Sequence, residues 1–276
     1  STINYKIKYE YNGGTKGSSA PTSAYYDSYV SISKPKGPTI NLTYKDAETE
    51  TQISANSYNR NFAGWTFDGN TTTALYGTSS SDVTTPRDDQ NTLVNATYFK
   101  RLTPTEDATV TMTANWGDNT TTLRTSTKDG CTCKWNTQKD GSGESYEFGD
   151  TFTFNKDTVV YRVCEPNTYT ITYRDMDVSG YPILPDVMPN TYTYGVGLNP
   201  LPTATKLGYY LDYWSTDPYS PKEITSISTT RYGNITIYGN FNQNPYTILL
   251  KAFPGYESKI EAYYDSYKQI SKPSYS

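Results

Sequence analysis

The sequence predicts a mainly β protein in which one small β unit is repeated along the chain, and three observations carry that prediction. Composition is the first: 29 of the 276 residues are Tyr and only 19% are charged. Ser, Thr, Asn and Gly fill much of the remainder, a mixture suited to twisted sheets with wet outer faces, since Tyr and Thr favour pleated, half-buried positions. The second is the absence of any segment of ten or more residues with apolar side chains at helical spacing. Repetition is the third. An alternating strand at 169–173, a turn, a proline-marked approach at 199–207, the aromatic stretch 208–214 (Gly-Tyr-Tyr-Leu-Asp-Tyr-Trp) and a closing strand at 234–241 follow one another, and the same order of parts recurs elsewhere. Recurrence of this kind overrides the length prior of about two domains.

The first unit, residues 1–116, opens with the period-two run 5–11 and reaches Asn12-Gly13-Gly14, where Asn-Gly is a strong hairpin signal because both residues tolerate positive φ. Residues 24–32 lead to Lys34-Pro35, and another alternating run at 39–44 precedes the Trp65 stretch at 61–67. The polar segment 68–105 reads as a long insertion holding one further strand at 93–99, after which 109–116 closes the unit. The second unit, 117–166, is short: its opening half is compressed into 121–127, followed by Trp135, a turn-rich segment and a closing strand at 158–163. With fewer than about sixty residues it buries only a modest core alone and is expected to lean on a neighbour. The third unit, 167–243, is the most complete. The fourth, 244–276, repeats the first half only: 262–273 (Ala-Tyr-Tyr-Asp-Ser-Tyr-Lys-Gln-Ile-Ser-Lys-Pro) nearly restates 24–35. The start at Ser1 without Met and this half-unit suggest a fragment of a longer precursor.

The order Tyr-x-Ile-x-Tyr, Asn-Gly-Gly, Leu-x-x-Pro, Gly-Tyr-x-x-x-x-Trp, then Ile-Tyr-x-x-Phe/Trp resembles the Listeria–Bacteroides repeat, also called the internalin B-repeat. Residues 135–146 with 158–161 are especially similar to its second half. Three departures stand out: Arg60-Asn61-Phe62 replaces the usual Gly-Tyr before Trp65, Cys133-Lys134 replaces apolar-Gly before Trp135, and Tyr213 replaces Gly before Trp214. The resemblance implies small β-grasp-like or sandwich-like modules strung in tandem on secreted or cell-surface proteins, as elongated spacers, adhesin stalks or host-binding elements. Units of this size stack through neighbour contacts.

Charge and motifs narrow the function. A formal charge of -4 leaves no basic stripe for phosphate neutralisation, which argues against nucleic-acid binding. No apolar run approaches the ~20 residues of a membrane helix, so no membrane insertion is expected in this segment. The sequence has no His, which removes the usual general base of a nucleophilic triad, and no enzyme activity or cofactor is expected. One calcium-like pattern occurs: Asp175, Asp177, Ser179 and Asp186 place oxygens at loop positions one, three, five and twelve with Gly180 at six, although it also aligns with the ordinary turn at Asn12-Gly13-Gly14. Cys131 and Cys133 share one strand face and Cys164 lies in the closing strand, so one bridge from Cys164 to either partner is possible.

Trp65, Trp116, Trp135 and Trp214 are expected to anchor the cores, each burying ~200 Å2. The pairs Tyr25-Tyr26, Tyr209-Tyr210 and Tyr263-Tyr264 are expected to put one ring in the core and the other at the surface or a seam, with Tyr25, Tyr26, Tyr263 and Tyr264 as possible surface contacts. The functional expectation is a non-enzymatic extracellular stalk or adhesive module of a cell-surface protein. Its partners would be a protein or glycan on a host or neighbouring cell, or copies of itself. Two alternatives are a fibre or assembly subunit joined through the incomplete last unit, and a carbohydrate-binding accessory module. The insertion 68–105 is the natural seat of specificity.

Overall fold

In the computed structural model, which describes residues 2–68, 73–177 and 184–272, every regular element among those residues is a strand. The common plan is clearest after residue 167. The opening strand Thr168–Asp175 buries Ile171 and Tyr173, alternate positions that period two places on one face. It runs parallel to the closing strand Ile235–Gln243, Ile171 opposite Ile235 and Tyr173 opposite Ile237. On its other side the closing strand pairs antiparallel with the tryptophan strand Tyr209–Ser215, and the short flanking strand Thr191–Thr193 covers the remaining edge of the opening strand. Parallel neighbours need a crossover, and here the crossover carries the tryptophan strand.

The first unit repeats the plan. Its opening strand Asn4–Glu10 lies between the flanking strand Ser23–Tyr25 and the parallel closing strand Thr109–Trp116, which in turn pairs with the tryptophan strand Phe62–Phe67. Asn12 and Gly13 take positive φ values of 46° and 84°, as expected, but the turn does not close a tight hairpin. The chain continues to a bridge between Thr15 and Lys36, because the flanking edge of the opening strand is taken by Ser23–Tyr25.

The second sheet departs from chain order. Its closing strand Thr158–Pro166 lies between the tryptophan strand Cys131–Asn136 and, in parallel, Thr39–Asp46. Thr39–Asp46 and its hairpin partner Gln52–Asn59 precede the first tryptophan strand in sequence, yet they complete the second sheet. Residues 121–127 do not supply that opening strand; Asn119–Thr122 pairs instead with Thr151–Phe154 in a separate ribbon. The reason is edge capacity: a strand has two edges, and both edges of Thr109–Trp116 are filled. Leu42 and Tyr44, wholly or nearly buried, find their apolar partner in Val160.

Each of three cores is built on an opening-strand Tyr set against a Trp. The ring centroids stand 5.8 Å apart for Tyr9 and Trp65, 4.8 Å for Tyr44 and Trp135, and 5.1 Å for Tyr173 and Trp214, spacings at which aromatic pairs add to burial. Trp116 differs from the expectation of a core position: it is half-buried at the rim, stacked edge-on to Phe62, with its indole N–H donated to the carbonyls of Tyr11 and Asn12. Gly14 leaves it room, since a Cβ there would come within 2.3 Å of the indole.

The insertion is more than one strand. Leu75–Gly77, Thr85–Pro86 and Tyr98–Lys100 join Val30–Ser31 in a four-stranded sheet, and Ala74, Val94, Ala96, Phe99 and Leu102 enter the first core. Leu93, expected in a strand, is half exposed, and Val94 makes a single bridge to Trp65. Buried Arg87 pins the insertion by donating to the carbonyl of Phe67 and lying 3.8 Å over its ring.

Contacts divide the chain into two compact units, Ser1–Ser126 with Lys134–Val163, and Thr127–Cys133 with Cys164–Ser276. Cys133 bonds to Cys164, and Cys131 is a free, half-buried thiol. Last comes a two-stranded ribbon, Pro245–Lys251 with Glu257–Tyr263. It has the opening and flanking strands of the plan; Pro273 lies outside the described residues.

Candidate functional site

Three features stand at the ends and edges of these sheets. The first is an ion pair where the opening strand ends. Asp175, almost wholly buried, accepts a hydrogen bond from Lys206 Nζ at 2.6 Å and from the Asp177 backbone N–H at 3.0 Å. Asp46 occupies the equivalent place in the second sheet, with Arg162 Nη2 at 2.7 Å and the N–H groups of Glu48 and Thr49 at 3.0 Å. Burial pushes the Asp46 carboxyl up, but the guanidinium and the two N–H donors outweigh it and hold the group at about 2.

Within the calcium-like pattern, Asp175 has other partners. Both oxygens of Asp175 are engaged by a lysine and a turn N–H, Asp186 is exposed, and Ser179 lies outside the described residues. Among the described residues no three His, Cys, Asp or Glu side chains gather as a metal set. The carboxylate serves the strand end because a buried charge needs a counter-charge.

The second feature is a joint used twice. Asn167, between a closing and an opening strand, donates its N–H to Gly130 O at 2.8 Å, and Tyr194 N–H donates to Asn167 O at 3.0 Å. Asn244 repeats this with Gly208 O at 2.8 Å, and Tyr264 N–H donates to Asn244 O at 3.1 Å. Gly130 and Gly208 both have positive φ, and a Cβ on either would come within 2.2 Å of the ring of Tyr194 or Tyr264. The glycine that precedes the tryptophan strand is thus the socket for a tyrosine that follows a flanking strand. Both joints lie within the compact unit made of Thr127–Cys133 and Cys164–Ser276.

The tyrosine-rich turns form the third feature. The buried position opposite the opening strand is filled by Ala24 and Ala262, not by a Tyr. Tyr25 is exposed and Tyr26 half-buried under the Arg101 guanidinium, 5.4 Å from its ring, while Arg101 also pairs with Asp27 at 2.8 Å. Tyr263 and Tyr264 are both partly exposed, so neither ring of that pair is core; Tyr264 packs edge-on to Tyr209 with centroids 5.6 Å apart. Beyond Asp27, Tyr29 stands half exposed above a groove of about 450 Å3 whose far wall is the insertion. A wider polar groove of about 750 Å3 lies on the outer face of the first sheet, between Thr66, Thr113 and Asn115 and the loop of Gln90, Asn91 and Leu93.

Sequence reasoning passed over Asp46, Tyr29 and the Gly130–Asn167–Tyr194 contact. A signal was present for the first, since Thr-Ile-Asn-Leu-Thr-Tyr-Lys-Asp at 39–46 matches Thr-Tyr-Thr-Ile-Thr-Tyr-Arg-Asp at 168–175. Comparison with known families agrees with this internal repetition: the Listeria-Bacteroides repeat domain matches at residues 103–162 and again at 169–239. The family model thus matches two tandem copies of the repeat within residues 103–239.

The second of these repeats coincides with the complete sheet after residue 167. The first starts before Thr109–Trp116, whereas the strand parallel to its closing strand is Thr39–Asp46, so linear order and spatial order part company there. Listeria–Bacteroides repeats are typical of bacterial surface proteins. Among curated proteins, the chain is similar to one from Evansella cellulosilytica, provisionally named a Gly-rich membrane protein, with 32% identity over 151 residues. The match takes in 53% of this chain and 16% of that relative's length. No helix among the described residues is long and apolar enough to cross a membrane.

Proposed function

We propose that this chain is a non-catalytic stalk or adhesive segment of a bacterial cell-surface protein, exposed outside the cell. The observation that carries the reading is the recurring joint of Gly130, Asn167 and Tyr194 and of Gly208, Asn244 and Tyr264. A backbone contact that recurs from one repeat to the next adds length by a fixed step, which is what a spacer requires. The surface character of the repeat family and the name of the Evansella relative support the location. The lack of His in the sequence removes the usual general base of a nucleophilic triad.

The test is molar mass and shape together, by light scattering with small-angle X-ray scattering over a range of concentrations. An extended monomer is expected; a compact particle would overturn the stalk. A second reading, assembly through the last ribbon, is favoured by one observation. In three sheets the opening strand is paired on both edges, whereas among the described residues Pro245–Lys251 pairs only with Glu257–Tyr263. An open edge accepts another strand, and this reading predicts growth in mass with concentration that disappears when residues 245–276 are deleted.

A further inference from the structure

We infer that the groove beside Tyr29 is a subsite for an uncharged sugar ring of a glycan. The inference rests on the adhesive reading above and names its ligand class. It begins with the turn that follows the flanking strand Ser23–Tyr25. That turn projects Asp27 and Tyr29 from the sheet, and the insertion stands opposite with Ser80, Ser81 and Thr84; Lys100 closes one end. The volume, about 450 Å3, falls within the range of small-ligand clefts, roughly 300–1,000 Å3.

Both walls are held in place. Tyr29 is 53% exposed, yet its ring is set edge-to-face with Tyr98, centroids 5.6 Å apart and planes at 83°, so its free surface is presented at little entropy cost. The serine turn folds back through Asp82 N–H to Ser79 O at 3.1 Å, with Ser79 Oγ and Ser81 Oγ 2.8 Å apart. Gly77 allows that closure: a Cβ there would meet the Asp82 carbonyl oxygen at 1.9 Å. Asp27 is oriented by Arg101, whose Nε and Nη2 both reach Oδ1 at 3.1 and 2.8 Å, leaving Oδ2 for a ligand.

The chemistry suits a sugar. A pyranose has an apolar C–H face, which an aromatic ring covers, and a rim of hydroxyls that both donate and accept. Here a carboxylate oxygen accepts, the Ser80 hydroxyl does either, the Thr84 hydroxyl accepts because its hydrogen goes to Asp82, and a lysine donates. Asp27 is paired with Arg101, and Asp82 of the serine turn offsets Lys100, so two carboxylates and two cations leave the groove without net charge and it favours a neutral ring over an anionic one. The sequence contains an internal control. Ala-Tyr-Tyr-Asp-Ser-Tyr recurs at 262–267, and there Tyr267 is fully exposed.

The experiment is an amide NMR titration of the full isotope-labelled chain with uncharged oligosaccharides of glucose, galactose, mannose and N-acetylglucosamine, alongside a sialylated and a sulfated oligosaccharide. At least one uncharged probe is expected to shift residues 27–29, 80–84 and 100. Tyr29→Ala should weaken it at least about tenfold, and Tyr29→Phe, which keeps the stacking face, by less than about threefold. Tyr267→Ala should leave binding unchanged. Ser80→Arg, which fills the groove from an exposed position, should abolish binding without moving the thermal midpoint; this variant decides the matter if Tyr29→Ala fails to fold. No shift with any uncharged probe, binding confined to the charged probes, or binding that survives Ser80→Arg would overturn the site. An extended monomer that shifts with none of the probes keeps the stalk and removes the sugar subsite.

Discussion

The first and third repeats share one strand plan and differ in what covers the tryptophan. In the third, the stretch before the tryptophan strand stays at home, and Pro202 O accepts the Trp214 indole N–H at 2.7 Å. Trp135 has the same arrangement with Arg124 O, also at 2.7 Å. In the first repeat the corresponding stretch is the hairpin of Thr39–Asp46 and Gln52–Asn59, which completes a different sheet. Trp65 is wholly buried, and among the described residues its Nε1 has no hydrogen-bond partner. Cover comes instead from the insertion, through Ala74, Val94, Ala96, Phe99 and Leu102. The opening, closing and tryptophan strands are thus a frame, and the cap over the indole can be exchanged.

The largest test of that difference is to remove the substitute cap. Phe99→Ala should cost about 3–5 kcal/mol in the first repeat, measured by chemical denaturation, although residue 99 lies in a segment with no counterpart in the third. A loss under about 1 kcal/mol would return the insertion to a surface role. Next is the bond between Cys133 and Cys164, which closes a loop across 31 residues. Cys133→Ser or reduction should cost about 3–4 kcal/mol on the chain-entropy account, while Cys131→Ser should change stability little.

The ion pairs sharpen the comparison further, since the second and third repeats end their opening strands on Asp46 and Asp175 whereas the first has Tyr11 there. Because the folded-state carboxyl of Asp46 is held at about 2, below its unfolded value, the unfolded chain binds the extra proton as pH falls. The stabilisation is complete above about pH 4 and lost as pH drops towards 2; it amounts to about 2 kcal/mol. Asp46→Asn should remove that part of the acid dependence, read as the change in unfolding free energy between pH 5 and pH 2.5.

Smaller still is the indole hydrogen bond. Trp214→Phe strands the Pro202 carbonyl and Trp65→Phe strands nothing, so the former should be worse by about 1 kcal/mol; equal costs would mean that the indole N–H of Trp214 contributes nothing. The smallest expected effect is calcium. With Asp175 committed to Lys206, addition of calcium or of a chelator should leave the thermal midpoint within about 1 °C, roughly 0.2 kcal/mol for a domain of this size. A rise of several degrees would restore Asp175, Asp177 and Asp186 as ligands.

Much of the frame was legible in residues. Period-two alternation at 5–11, 109–116, 169–173 and 234–241 marks strands that are strands, because each has one buried face. Gly208 before an aromatic stretch marks a close approach, and the structure adds that what approaches is the ring of Tyr264. Less legible was Gln52–Asn59: Ile53 and Tyr58 lean on the second core from opposite positions of the pleat and no residue is fully buried, so no alternation announces it. The extra strands of the insertion, Leu75–Gly77 and Thr85–Pro86, are too short for a period to develop. The groove beside Tyr29 was out of reach for a different reason, since its walls come from residues about fifty positions apart.

By itself the sequence determined that the protein is mainly β, that one unit recurs, and that tryptophans stand in its cores. These follow from local periodicity and side-chain size, which act over a few residues. Only the tertiary structure decided which opening strand serves which closing strand, which carbonyl or insertion caps each indole, and which cysteine pairs with Cys164. Those choices depend on how many strand edges are already filled and on which apolar faces remain to be covered, and both are properties of the assembled sheets.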